Sequence, residues 1–349
     1  MSIFSHLIDL LLTQTSRIVA DLTRYLADRV EAGALITYET IFVALMSNWF
    51  VANSASRTHL SRARWIWNFE KTILTGKWAY VKAVDINISE VRKTLQHQSE
   101  TLWDRVLDAV PGDSPEQYSA FRDLTLEDDP VDPSCLYGRA ANVTVLAPFY
   151  TAMWAALEKS LNEEKNSTDR TAIANKFLQS MQALRDSVLS IALPTSGITP
   201  RPRQVAEAKY RADARLPKLH RNLRIAFGMT FLGNFEDKVH KEKESRSYHP
   251  LAPQLVTPIH FLLGVVRKVE ILLLRRYKVP TKEFNCYMFV KPPILHATLG
   301  TSGARQIYNG TDVNIAARTN PGVGQPGGFV RQMTIAISKT HFPQHMQGE

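Results

Sequence analysis

A proline-rich turn, Thr195 to Val205 (TSGITPRPRQV), constrains this chain more than any other stretch of its sequence. Pro200 and Pro202 fix their own φ angles and push the residues before them towards extended backbone, so Arg201 has few conformations open to it. Gly197 follows an apolar, helix-like run and is typical of a helix end. A guanidinium held in this way pairs well with phosphate oxygens. The stretch therefore indicates either a phosphate-binding turn or a rigid surface linker between helices.

The positive charge of the chain is concentrated in its second half. Residues 1–165 contain 16 Lys and Arg against 21 Asp and Glu, whereas residues 166–349 contain 26 against 12, which gives net charges of −5 and +14. A basic stripe is typical of nucleic-acid binding, although a solvated face on a basic protein has the same composition. The cations that we predict to bind DNA phosphates are Arg203, Lys209, Arg211, Arg215, Lys218, Arg221, Arg224 and Lys241.

Helical spacing of apolar residues dominates the sequence, and one segment has the pattern of a hairpin. Helices are predicted over 4–29, 37–53, 62–74, 145–161, 168–193, 255–277 and 331–342. A β-hairpin turned at Gly228 is predicted over 222–235, and a short strand over 286–290. The acidic stretch 111–133 is expected to be a solvated loop, and 298–328 an irregular, glycine-rich region.

The polar stretch 162–166 is the best candidate for a domain boundary. We therefore predict an α+β, mostly helical protein with a helical N-terminal domain, residues 1–165, and a basic domain with a small hairpin sheet, residues 166–349.

Composition argues against several classes of protein. Cys135 and Cys286 are too few for a disulfide framework or a zinc site. No apolar run is judged to approach the roughly 20 residues of a membrane span. Glycine-rich phosphate loops, metal-type His/Cys clusters and glycine-flanked nucleophilic serines do not occur in the sequence. We expect no metal, no cofactor and no membrane partner.

Several segments, taken in their order along the chain, resemble one family. They are Tyr38-Glu39-Thr40, Gly197 to Tyr210, Arg221-Asn222-Leu223, Leu251 to Leu274, and Val330 to Ser338. This layout resembles the catalytic domain of tyrosine recombinases, most closely the tyrosine-recombinase-like region of fungal telomere-linked helicases and related fungal mobile-element proteins. The resemblance implies a nuclear protein of DNA recombination or integration that binds double-stranded DNA as a homo-oligomer or as part of a larger helicase-bearing protein.

The resemblance also implies roles for individual residues. Arg201 and Arg331 would clamp the scissile phosphate, and Lys238, with Lys241 as a competitor, would be the hairpin lysine that protonates the leaving oxygen. Two guanidiniums suit the charge that builds on a phosphate under attack. Gly328 and Gln332 stand where the family has histidines, and no tyrosine follows Tyr308.

From these observations we expect DNA binding of the recombinase or integrase type without strand transfer in this chain. The alternatives are a non-catalytic DNA-binding module and a structural protein that packages nucleic acid. We expect no covalent protein–DNA intermediate, because the chain lacks a tyrosine after Arg331.

Overall fold

The computed structural model describes residues 63–67, 73–78, 84–112, 116–129, 135–195, 200–211, 221–226, 228–236, 246–296, 307–319, 324–325, 329–331, 333–334 and 337. Two predicted helices, 4–29 and 37–53, lie outside these residues, and so do four predicted cations, Arg215, Lys218, Lys238 and Lys241. The described part is mostly helical with two small antiparallel sheets, which confirms the predicted α+β, mostly helical class.

The elements follow one another in a simple order. The strands are β1 (Ala63–Trp67), β2 (Ile73–Trp78), β3 (Val84–Asn87), β4 (Leu223–Ala226), β5 (Met229–Glu236) and β6 (Arg246–Pro250). The α-helices are α1 (Ile88–Ala109), α2 (Glu116–Ser119), α3 (Ala140–Glu163), α4 (Ser167–Thr195), α5 (Pro202–Ala206), α6 (Pro253–Phe261), α7 (Arg267–Arg276) and α8 (Gly310–Thr319). Short 3-10 turns cover Ala120–Asp123 and Leu136–Gly138, and the described residues between 329 and 337 are helical.

The predicted helix over 62–74 is wrong, because β1, β2 and β3 form a three-stranded antiparallel sheet there. Ala63 pairs with Trp78 and Trp67 with Leu74. This segment is rich in tryptophan, isoleucine and threonine, which fit a pleated surface better than a helix. Apolar residues on two consecutive short strands imitated a helical period. Helix α1 follows β3 directly. Asn87 Oδ1 accepts hydrogen bonds from the backbone N–H groups of Ser89 and Glu90 in the first turn of the helix.

The helices of the described part share one hydrophobic core. α1 packs against α4 and α6, while α3 packs against α4 and α7. The connection between α3 and α4 contains the predicted boundary at 165, and residues on both sides of it belong to the same buried cluster. The predicted division into domains stays a prediction, since residues 1–62 lie outside the described residues.

The hairpin predicted over 222–235 is present as β4 and β5, and β6 completes a second antiparallel sheet. Gly228 has a φ of 71°, a conformation that glycine adopts without the strain other residues incur. The run 286–290 takes part in two isolated bridges, Lys209 with Tyr287 and Val290 with Ile307.

The region 298–328, expected to be irregular, contains the helix α8. Asn309 begins it by accepting hydrogen bonds from the backbone N–H groups of Thr311 and Asp312, while its own N–H donates to Asp312 Oδ2 at 2.9 Å. This is a reciprocal cap with the spacing of a capping box. The sequence Asn-Gly-Thr-Asp carried that signal, but the surrounding glycines masked it.

The predicted helix over 255–277 consists of α6 and α7 joined by a π-helical turn, Leu262–Val266. Gly264 lies in this turn against the buried ring of Tyr137. A Cβ added at Gly264 would lie 2.9 Å from Cδ1 of that ring, closer than normal carbon contacts allow. The turn therefore packs directly on the segment that precedes α3.

Helix α3 bears on the expectation that no membrane span exists. It has no charged residue from Ala140 to Leu157, and by length and composition it is apolar enough to cross a membrane. Its buried residues form one stripe on the core, at helical spacing: Asn142, Leu146, Phe149, Met153, Leu157 and Leu161. One such helix is weak evidence for a span, because core helices of soluble proteins pass the same test.

A buried histidine predicts a pH dependence of stability. His260 lies between the hydroxyl groups of Tyr137 (2.9 Å from Nδ1) and Thr230 (2.8 Å from Nε2), and burial lowers its pKa from 6.5 to about 4. Between these two pKa values the unfolded chain binds a proton that the folded protein does not. We expect the free energy of unfolding to fall by about 3 kcal/mol in total as the pH drops from 6.5 through 4.

Urea unfolding of the full chain at several pH values measures this effect. His260→Gln should lower the stability at pH 7 and flatten the loss between pH 6.5 and 4. An unchanged pH slope in this variant would assign the dependence to other groups.

Candidate anion-binding site

A cavity of about 830 Å³ opens where the start of α3 meets α7 and the segment that follows α5. Its volume lies within the roughly 300–1,000 Å³ of small-ligand sites. Three tyrosines line the cavity. The ammonium group of Lys268 lies 5.2 Å from the ring centroid of one of them, Tyr150. The charged residues that line it are Glu127, Arg139, Arg211, Arg267, Lys268 and Arg275.

The charges of this cavity are strongly unbalanced. Among the described residues that line it, five are cations and Glu127 alone is an acid. Arg211 and Arg275 are exposed, while Arg139 and Lys268 are half-buried. Positive charges around a concave, low-dielectric surface focus the electrostatic field there and attract anions. The cavity is therefore suited to a negatively charged ligand.

The N-terminus of α3 adds its own positive character to the cavity. The helix begins at Ala140 with Arg139 as N-cap, and no side-chain capping bond occurs at this end in the described part of the chain. Ala140 and Ala141 are exposed and line the cavity. The first N–H groups of a helix lack intrahelical acceptors and carry partial positive charge, so they bind anions.

A buried guanidinium contributes to the cavity lining. Arg267 is 1% exposed, its Nη2 donates to the carbonyl of Met288 at 2.8 Å, and it stacks 5.0 Å from the ring centroid of Phe284. Its Nη1 has no hydrogen-bond partner among the residues that the structure describes. Burial lowers the pKa of Arg267 to about 10, so the group stays protonated at neutral pH.

Behind the cavity, two arginines share one carboxylate. Glu270 accepts from Arg185 Nη1 at 2.7 Å and lies 3.4 Å from Arg267 Nε, and all three side chains are almost completely buried. The nearby Asp186 accepts a hydrogen bond from Tyr308, and burial raises the pKa of this aspartate. The trio of Arg185, Arg267 and Glu270 keeps one net positive charge next to the cavity.

The predicted catalytic arginines lie outside this cavity. Arg201 is half-buried at the N-cap of α5, where its N–H donates to Gln204 Oε1 at 2.9 Å. The start of α8 packs close to Pro202 and Arg203. Arg331 is half-buried in the helical stretch near the C-terminus. Neither arginine lines the cavity, and Lys238 lies outside the described residues.

The predicted phosphate-binding stripe is not continuous on the surface. Lys209 and Arg224 are 7% exposed and Arg221 is 1% exposed, so these three side chains are structural and do not face solvent phosphates. Lys209 Nζ lies 5.0 Å from the ring centroid of Tyr287. Arg211 remains exposed at the cavity, and Arg203 is exposed and paired with Glu207 at 3.1 Å. The number of charged residues in a sequence does not show which of the cations become buried in the core.

The acidic stretch is docked rather than fully solvated. Asp128 Oδ1 accepts from Arg221 Nη2 at 2.5 Å, and its Oδ2 accepts from the backbone N–H of Ile225 at 2.8 Å. Both partners in this ion pair are 1% exposed. The solvated-loop expectation is therefore wrong at Asp128, whose buried carboxylate ties the stretch to β4. It is also wrong at α2 and the 3-10 turn after it, where the rings of Tyr118 and Phe121 are buried in the core. No group of three potential metal ligands occurs among the described residues.

Tyr308 is placed as a structural residue. It is 2% exposed, its hydroxyl donates to Asp186 Oδ1 at 2.5 Å, and burial raises its pKa well above the ordinary value. Both effects oppose formation of the phenolate that a nucleophilic tyrosine needs.

The sequence pattern did not reveal the cavity. Lys268 and Arg275 lie within the predicted helix 255–277 but were not among the predicted phosphate-binding residues, and Arg139 stands before α3 without any motif. The available signal was a long apolar helix preceded by arginine rather than by a capping residue. No family model, no curated protein and no solved structure matches this chain.

Proposed function

We propose that this protein binds duplex DNA through its phosphates, with the exposed cations around the cavity as the principal contact, and that it does not cleave a strand. The observation that carries the proposal is the convergence of five cations and a helix N-terminus on one concave surface. DNA is a dense linear polyanion, and proteins bind it mainly by replacing its counterions with Lys and Arg. The net charge of +14 in residues 166–349 favours the same partner.

The order of elements supports a recombinase-type arrangement. An arginine at a helix start (Arg201) precedes a three-stranded antiparallel sheet, two helical segments follow, and Arg331 lies in a later helical stretch. This is the order that the resemblance implies. The buried, hydrogen-bonded state of Tyr308 supports a binding protein without a nucleophile. On this proposal the protein acts in the nucleus, alone, as a homo-oligomer on DNA, or within a larger helicase-bearing protein.

We expect the triple variant Arg211→Gln, Lys268→Gln, Arg275→Gln to weaken duplex binding about a hundredfold at low salt. Each substitution removes one phosphate contact, so the slope of log K against log salt should become shallower by about 2–3. Fluorescence anisotropy of the full chain with a labelled duplex across a salt series measures both quantities.

A charge-matched control uses Arg122→Gln, Arg276→Gln and Lys291→Gln. These cations are paired with Asp104, Glu158 and Asp312 and do not line the cavity. The control should change affinity less than tenfold, the general effect of lowering the net charge. Equal losses in both triple variants would refute the cavity as the principal contact, and a flat salt dependence of the unaltered protein would refute phosphate binding.

A further inference from the structure

The cavity carries more positive charge than a phosphate in the interior of a DNA strand can neutralise. A backbone phosphodiester has one negative charge and two free oxygens. A phosphomonoester carries about −1.5 to −2 charges at neutral pH and three acceptor oxygens. Among the described residues of the lining, five cations and one carboxylate leave a surplus of four positive charges. This surplus of positive charge matches a compact, multiply charged group better than a single phosphodiester of the DNA backbone.

The donors of the cavity also suit a group that can enter it. The start of α3, which has no side-chain cap, presents its first backbone N–H groups beside Ala140 and Ala141, whose methyl side chains fill little of the space. Anions at helix N-termini accept such N–H groups directly. A duplex surface is broad and convex, so its internal phosphates reach the rim, whereas a terminal phosphate can reach the interior.

An independent observation indicates that the cavity is built for an anion. Arg267 contributes to the lining and is 1% exposed, yet its Nη1 has no hydrogen-bond partner among the described residues. Its carboxylate partner Glu270 is shared with Arg185. A buried charge that is only partly compensated is costly in an empty protein, and an anion in the adjacent cavity would reduce that cost.

We infer that the cavity binds a phosphomonoester, which in the context of the proposed DNA-binding function is the terminal phosphate of a DNA strand. The N-terminus of α3, Lys268 and Arg275 bind its oxygens, and the charge of Arg267 stabilises it from behind. The same chemistry fits the phosphate of a free mononucleotide, and the experiment separates the two sources.

The test compares hairpin duplexes that have one open end, carrying either a 5′-phosphate or a 5′-hydroxyl, in binding to the full chain. We expect the 5′-phosphate duplex to bind about tenfold more tightly. AMP and inorganic phosphate serve as competitors and as ligands in calorimetry. Displacement of the phosphorylated hairpin by millimolar AMP is compatible with the strand end as the ligand, whereas micromolar AMP affinity with no preference among hairpins assigns the site to a free nucleotide.

Two matched pairs of variants locate the effect. Arg275→Gln should remove the preference for the 5′-phosphate, whereas Arg276→Gln, the next residue along α7 and paired with Glu158 outside the cavity, should keep it. Ala141→Asp should also remove it, because the carboxylate occupies the anion position at the start of α3. An acidic residue in the first turn stabilises a helix, so this loss should occur without a lower melting temperature. Ala155→Asp, an exposed position on the same helix, is its control.

The inference and the proposed function fail in different ways. If phosphate- and hydroxyl-ended hairpins bind equally well and AMP does not bind, the inference is overturned while duplex binding stands. If neither hairpin binds, the proposed function fails, and the AMP titration alone decides whether the cavity binds a phosphomonoester. A preference for 5′-phosphate that survives both Arg275→Gln and Ala141→Asp would place the terminal phosphate elsewhere.

Discussion

Replacing Glu270 with glutamine is expected to lower the free energy of unfolding by about 3–5 kcal/mol, because it leaves two buried guanidiniums without a counter-ion. Glu270 lies 2.7 Å from Arg185 Nη1 and 3.4 Å from Arg267 Nε, and none of the three side chains is more than 2% exposed. Glutamine has the same shape as glutamate, so the loss reports charge rather than packing. Urea unfolding at pH 7 measures it.

The control for this prediction is Glu158→Gln, which removes a carboxylate 3.6 Å from Arg276 on the surface. Its loss should be below about 1 kcal/mol, because solvent screens exposed pairs. A triple variant, Arg185→Met, Arg267→Met and Glu270→Leu, should recover much of the stability lost in Glu270→Gln, since apolar replacements remove the unpaired charges together. A loss below 1 kcal/mol in Glu270→Gln would contradict the account of this trio.

The second large effect is expected at the pair between the acidic stretch and β4. Asp128→Asn should lower the free energy of unfolding by about 3 kcal/mol, because Arg221 remains buried without its carboxylate. Arg221 is 1% exposed, and its Nε and Nη1 already lack hydrogen-bond partners within the described residues. The variant should also release residues 124–129 from β4, which limited proteolysis would detect as new cleavage there.

Asp129→Asn provides a matched control one residue away. Asp129 is exposed, and its backbone carbonyl, which the substitution retains, accepts from Arg221 Nη2 at 2.6 Å. We expect a loss below about 1 kcal/mol, because solvent screens exposed charges, and no new cleavage. If the two variants are equally unstable, the buried ion pair is not what holds this stretch.

Local patterns predicted the elements that local chemistry determines. The hairpin turned at Gly228 and the long helices α3 and α4 follow from glycine geometry and apolar spacing, which act over a few residues. The sheet of β1, β2 and β3 was missed because apolar residues on consecutive short strands can share the spacing of a helix.

The candidate site could not be predicted in the same way. Arg139, Arg211, Lys268 and Arg275 are separated by up to 136 residues. The packing of α3 against α7, together with the segment that follows α5, brings them to one cavity. Likewise, Arg221 looked like a surface cation because its partner, Asp128, stands 93 residues earlier. Tertiary contacts decide which charges face solvent, and these contacts cannot be derived from the local sequence.

The π-helical turn at Leu262–Val266 makes the cavity depend on a residue count. Each residue turns an α-helix by about 100°, and a π turn accommodates one residue more than an α turn. If the same residues were wound as a regular α-helix, Lys268 and Arg275 would rotate by about 100° about the axis relative to α6. The α6 side of the core would then be in phase while the cations were not. The one extra residue that the π turn accommodates therefore keeps the cations directed at the cavity, and a single-residue deletion within the turn would restore a regular helix without changing their phase.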